Sequence, residues 1–123
     1  MPHRPSAKEL FAKVQEALAA IHEGHYQFLD DPHLVASLDD LGLENEDALV
    51  DLIVELLETL KTSNLHECYA GGRPPQKSYE PSIRNLDLWA FKCFCGSQQK
   101  IIYLKFTLKK GVYIHISCHE DEP

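Results

Sequence analysis

The sequence predicts a single α+β domain, residues 1–123, in which N-terminal helices pack on a C-terminal antiparallel β-sheet. Two patterns lead there. Up to residue 61 apolar residues recur at intervals of three and four, whereas after residue 86 they alternate one by one. Charge divides at the same place. Residues 1–60 hold three Lys or Arg against 13 Asp or Glu, while residues 61–119 hold nine against three. The formal net charge of -7 thus conceals an acidic helical part, 1–61, and a basic part made of a loop, 62–85, and the sheet, 86–119. Attraction between the two halves accounts for such a split, and so does a contact surface for a polyanion.

The helices follow from their ends. Ser6-Ala7-Lys8-Glu9 has capping-box spacing, and Leu10, Phe11, Val14, Leu18 and Ile21 then share one face until Gly24, predicting a helix over 7–23. Asp30-Asp31-Pro32 opens a short helix over 33–41 that stops at Gly42. Asn45 caps a third over 46–61, whose Leu49, Leu52, Ile53, Leu56, Leu57 and Leu60 form the stripe expected to cover the sheet. Gly71-Gly72-Arg73-Pro74-Pro75 and Pro81 exclude a regular helix over 62–85.

Three strands are expected, 86–94, 101–108 and 112–119. The first carries apolar residues on both faces. In the second Ile102, Leu104, Phe106 and Leu108 alternate with Tyr103, Lys105 and Thr107, and in the third Val112, Ile114, Ile116 and Cys118 alternate with Tyr113, His115, Ser117 and His119. Matching the apolar faces requires a three-residue turn, Lys109-Lys110-Gly111, which sets Leu108 opposite Val112 and Lys105 opposite His115. One core is then predicted to hold Leu49, Ile53, Leu56, Ile102, Leu104, Phe106, Ile114 and Ile116. Tyr103, Lys105, His115 and His119 gather on the polar face.

Two imidazoles, a phenol and an ammonium are the groups needed to cleave RNA without metal. A base takes the 2′-hydroxyl proton, an acid protonates the leaving 5′-oxygen, and a cation stabilises the phosphorane between them. Histidine titrates near neutral pH and suits the first two tasks. Solvated sheet faces also carry such residues with no chemical role.

The strand Ile102-Tyr103-Leu104-Lys105-Phe106-Thr107-Leu108, followed after a short turn by 112–120, resembles the C-terminal hairpin of MqsR-family toxins. These are RelE-like ribonucleases of bacterial type II toxin–antitoxin pairs. Leu41-Gly42-Leu43 before the long helix and Leu88-Trp89 before the hairpin have counterparts there too, so the resemblance spans residues 34–120. It implies a RelE-like fold and metal-independent cleavage of single-stranded mRNA by 2′-hydroxyl attack. It also implies no cofactor, and RNA and a cognate antitoxin protein as partners. Tyr103 matches the family's active-site tyrosine, and His119 stands where the family has a terminal lysine. For the family's other catalytic lysine His66 is nearest in context and Lys77 is a second candidate. The family's glutamine after the tryptophan is absent, since Ala90 and Phe91 follow Trp89.

Arg73, Tyr79 and Lys92 are candidate RNA contacts, the aromatic and Arg side chains by stacking on unpaired bases. Tyr69 and Tyr79 have the alternative of packing the loop onto the sheet. Cys93, Cys95 and Cys118-His119 invite a zinc reading, but Cys-x-Cys is not the usual ligand spacing, and small buried thiols explain them. The remaining alternative is a non-enzymatic interaction or regulatory module. The start, MPHRPSAKEL, lacks an apolar run of signal-peptide length, so a cytoplasmic location, reduced thiols and no membrane association are expected. Glu120-Asp121-Glu122 reads as a solvated tail.

Overall fold

The computed structural model describes residues 5–121. Helix α1, Ala7–His22, is capped by Ser6, whose hydroxyl accepts the Glu9 N–H. After a short strand β1, Tyr26–Phe28, come α2, Asp31–Leu41, and α3, Glu46–Lys61. Asp30 and Asn45 cap these two helices through their side-chain oxygens, and Gly42 ends α2 in the left-handed conformation. The helical period and the capping residues thus located all three helices, with α2 starting two residues before the predicted 33.

The segment predicted as loop contains a single turn of helix, α4, Leu65–Cys68, and a 3-10 turn at Pro81–Ile83. Strands β2, Trp89–Cys95, β3, Lys100–Lys109, and β4, Val112–Glu120, form the expected meander. The sheet order is β1-β4-β3-β2, with β1 running parallel to β4. The sheet is therefore mixed, and β1, too short for any period, is an addition to the predicted three strands.

The hairpin register differs from expectation. Lys109 pairs with Val112, so the turn is the two-residue Lys110-Gly111, with φ +50° and +78°. Positive φ at both positions is the twist-matched hairpin turn. Pairing then runs Leu108 with Tyr113 and Phe106 with His115, and a bulge at Ile116 shifts it, so that Lys105 meets Ser117 and Tyr103 meets His119. Before the bulge Tyr113 and His115 point into the core; after it Cys118 does. The reason is that Tyr113 and His115 are buried as a hydrogen-bonded pair rather than displayed as polar residues.

Two apolar layers result. On one sheet face α1 and α3 pack Leu10, Val14, Leu49, Ile53 and Leu56 against Phe91, Ile102, Leu104, Phe106 and Tyr113. Ile114 and Ile116, expected in this core, lie on the other face with Ile83, Leu29, Leu86, Leu88 and Val112. There the 76–88 loop folds back over one end of the sheet. It is tied down by Thr107 Oγ1 to the Asp87 carbonyl (2.7 Å), Lys109 Nζ to the Ser82 carbonyl (2.8 Å) and Leu88 N–H to the Gln76 carbonyl (2.8 Å). The other end of this face stays open.

Candidate functional site

Direct cross-strand partners share a sheet face. Lys92 pairs with Tyr103 and Tyr103 with His119, giving a row across three strands; Ala90, Lys105 and Ser117 form the next row. The His119 ring stacks on the Tyr103 ring at 4.9 Å between centroids and 16° between planes. Its Nδ1 lies 2.9 Å from the Glu120 carbonyl oxygen. A carbonyl only accepts, so Nδ1 carries the proton of the neutral ring and Nε2 is left with a lone pair. Partial burial pushes the Tyr103 phenol up, which keeps it protonated and a hydrogen-bond donor at neutral pH.

Lys105 stands beside this pair and lines two neighbouring hollows. One, of about 510 Å³, lies between the loop and the β1–α2 junction and is bordered by His33, Gln76, Lys77, Tyr79, Lys105 and Ile116. The other, of about 240 Å³, brings Lys105 together with Tyr103, Gly71, Gly72 and Gln76. Lys105 has no acidic partner among the described residues, whereas Lys77 pairs with Asp87 at 2.5 Å and Lys92 with Asp121 at 3.6 Å. Lys105 is thus an ammonium of this face with no carboxylate beside it, as is Lys109 at the loop-covered end, which donates to the Ser82 carbonyl. A third hollow, of about 230 Å³, joins His119, Ser117 and Ile116 to His33, Ser37 and Asp40. The first hollow shares Gln76 and Lys105 with the second and His33 and Ile116 with the third, so the three lie side by side as a groove along this face.

The sequence-derived candidates divide accordingly. Tyr103, Lys105, His119 and Lys92 come together, and Lys77 and Tyr79 line the groove from the loop. Tyr79 is 91% exposed, so it does not pack the loop down; Tyr69 does, buried against Phe91 with its hydroxyl donating to the Gly72 carbonyl. Arg73 is exposed on the same loop but borders none of the three hollows. His66 is exposed on α4, which packs against α1, α3 and β2, and it too stands outside the groove.

His115 has to be withdrawn from the polar face. It is fully buried on the helix side, with Nε2 3.1 Å from the Ser37 hydroxyl and Nδ1 3.3 Å from the Tyr113 hydroxyl. Burial lowers its pKa to about 4, so the ring is neutral at physiological pH and supplies no charge. His33 is the groove residue that sequence reasoning passed over. Its position three residues after the capping Asp30 was a visible signal, because a carboxylate at that spacing reaches the ring as well as the backbone.

Burial raises the Cys93 thiol to about 12 and the Cys118 thiol further still, so both stay protonated at neutral pH. Among the described residues no group of three His, Cys, Asp or Glu is placed to hold a metal ion. The acidic tail is partly engaged: Glu120 N–H donates to Asp40 (2.8 Å) and its carboxylate lies 3.5 Å from Lys100; Glu122 lies outside the described residues. Among the described residues no helix is long and apolar enough to cross a membrane. No protein-family model, curated protein or solved structure matches the chain.

Proposed function

We propose that this groove binds single-stranded RNA and cleaves it without metal, by attack of a 2′-hydroxyl on the adjacent phosphate. The observation that carries the reading is the His119–Tyr103 stack beside the unpaired Lys105. His119 Nε2 accepts the 2′-hydroxyl proton. The Tyr103 phenol donates a hydrogen bond to a non-bridging phosphate oxygen, and Lys105 offsets the charge that gathers on the phosphorane. Lys92, Lys77 and the exposed Tyr79 extend the contact, the lysines to flanking phosphates and the ring to an unpaired base.

The likeness of the 102–108 strand to MqsR-type toxins supports the same chemistry and suggests a cognate antitoxin as partner. Such an inhibitor would lie over the Tyr103 and His119 face and exclude RNA. The testing experiment compares wild type, His119→Ala and Tyr103→Phe on an unstructured RNA in EDTA. His119→Ala is expected to lose about a hundredfold or more in rate, as removal of a general base does, and Tyr103→Phe a smaller but clear factor. Equal rates for the three proteins would reject the site. No cleavage by any of them would leave a non-enzymatic interaction module as the better reading.

A further inference from the structure

Cleavage as proposed above leaves one chemical requirement open. The departing 5′-oxygen needs a proton, and His119 has been given the opposite task. His33 lines the same 230 Å³ hollow as His119, and it also lines the larger cleft with Lys105. His33 Nδ1 lies 2.5 Å from Asp30 Oδ1, and the same oxygen accepts the His33 backbone N–H at 2.8 Å. These hydrogen bonds, the backbone one foremost, hold the Asp30 carboxyl below its usual range, so it is ionised at neutral pH. Asp30 thereby fixes the ring's tautomer, directs Nε2 away from the helix start and supplies a counter-charge when the ring is cationic. His119 has a neutral carbonyl in the corresponding place. The two rings are therefore unequal in their partners, a neutral carbonyl for His119 and a carboxylate for His33.

The hollow between them is smaller than the roughly 300–1,000 Å³ of ordinary small-molecule sites. It has the scale of one phosphodiester and its ribose, with the bases left to the open groove on either side.

We infer that His33, held by Asp30, is the general acid that protonates the leaving 5′-oxygen, with one RNA phosphodiester seated between it and His119. In the step, the bond from O2′ to phosphorus forms and the bond from phosphorus to O5′ breaks. The 2′-hydroxyl proton passes to His119 Nε2, and the proton on His33 Nε2 passes to O5′. The products are a 2′,3′-cyclic phosphate and a 5′-hydroxyl, and proton exchange with water resets the two rings.

The inference rests on the ribonuclease reading, and a change of leaving group separates the two. Wild type, His33→Ala and His119→Ala are compared on an RNA cut at one mapped position and on the same RNA with sulfur replacing O5′ there. A thiolate departs without a proton. His33→Ala is expected to lose about a hundredfold on the ordinary RNA while staying within about threefold of wild type on the sulfur-bridged one. His119→Ala should lose about a hundredfold on both. The Asp30 cap of the His33 backbone N–H survives the substitution, so α2 should keep its start, and Asp30→Asn, which keeps a capping oxygen but removes the counter-charge, should reproduce the pattern more weakly. His33→Ala cutting ordinary RNA as fast as wild type overturns the inference and leaves the His119 site standing. Equal losses on both substrates make His33 merely structural and also overturn it. No cleavage of either RNA by wild type overturns the ribonuclease reading and this inference together.

Discussion

Burial, more than residue type, decides what His115 and His119 can do. His119, with one nitrogen bonded to a carbonyl and the other open, is equipped to take a proton. His115, enclosed by Ser37, Tyr113 and Phe28, is equipped to stay neutral. That difference has a measurable consequence for stability. A His with folded pKa near 4 and an ordinary value near 6.5 binds fewer protons folded than unfolded between those limits, so stability rises with pH across that window. Its full contribution is present above about pH 6.5 and is lost as pH falls towards 4, an effect of roughly 3 kcal/mol at most. Urea unfolding at pH 4.5, 5.5 and 7 should show that slope, and His115→Gln should flatten it. An unchanged slope in the variant would place the acid sensitivity elsewhere.

At the scale of the elements, the hairpin turn makes the sharpest prediction. Lys110 and Gly111 both have positive φ, and open space surrounds the position a Cβ would take at Gly111. The strain of a side chain there is therefore conformational rather than a clash. Gly111→Ala should cost about 1–2 kcal/mol and Lys110→Gly should gain up to about 1 kcal/mol, read from denaturant midpoints at constant m. The helices were legible because their ends are written locally, in Ser6, Asp30, Asn45 and Gly42. The turn was not, because register was judged by counting Tyr113 and His115 as polar. Their polarity is satisfied internally, by each other and by Ser37, so they behave as core residues, and the bulge at Ile116 then returns His119 to the face of Tyr103. The placement of Tyr103 and His119 on one face thus survived a wrong register, while that of His115 did not. β1 was illegible for another reason: three residues carry no period, and its pairing with β4 spans most of the chain.

For the whole molecule, the division of charge seen in the sequence becomes spatial. The open sheet face carries Lys92, Lys105 and, through the loop, Lys77, while the acidic helices cover the opposite face. RNA bound there should release counterions, so affinity measured by filter binding should fall steeply between low and moderate salt. Lys105→Ala should weaken binding and reduce the salt slope by about one unit, as loss of one phosphate contact does. Affinity indifferent to salt would remove the electrostatic argument. The core on the helix side should tolerate little. Phe106 is fully buried, and Phe106→Ala should cost about 3–5 kcal/mol by calorimetry or denaturant, against less than about 0.5 kcal/mol for Tyr79→Ala, whose ring is 91% exposed.

The central claim is that a metal-free phosphotransfer occurs on the Tyr103–His119 face, and the chemistry of the product ends tests it most directly. Purified protein incubated in EDTA with an unstructured RNA should leave 2′,3′-cyclic phosphate on one fragment and 5′-hydroxyl on the other, and His119→Ala should yield neither above background. Cleavage that leaves 5′-phosphate ends, or that continues unchanged in His119→Ala, would contradict the account.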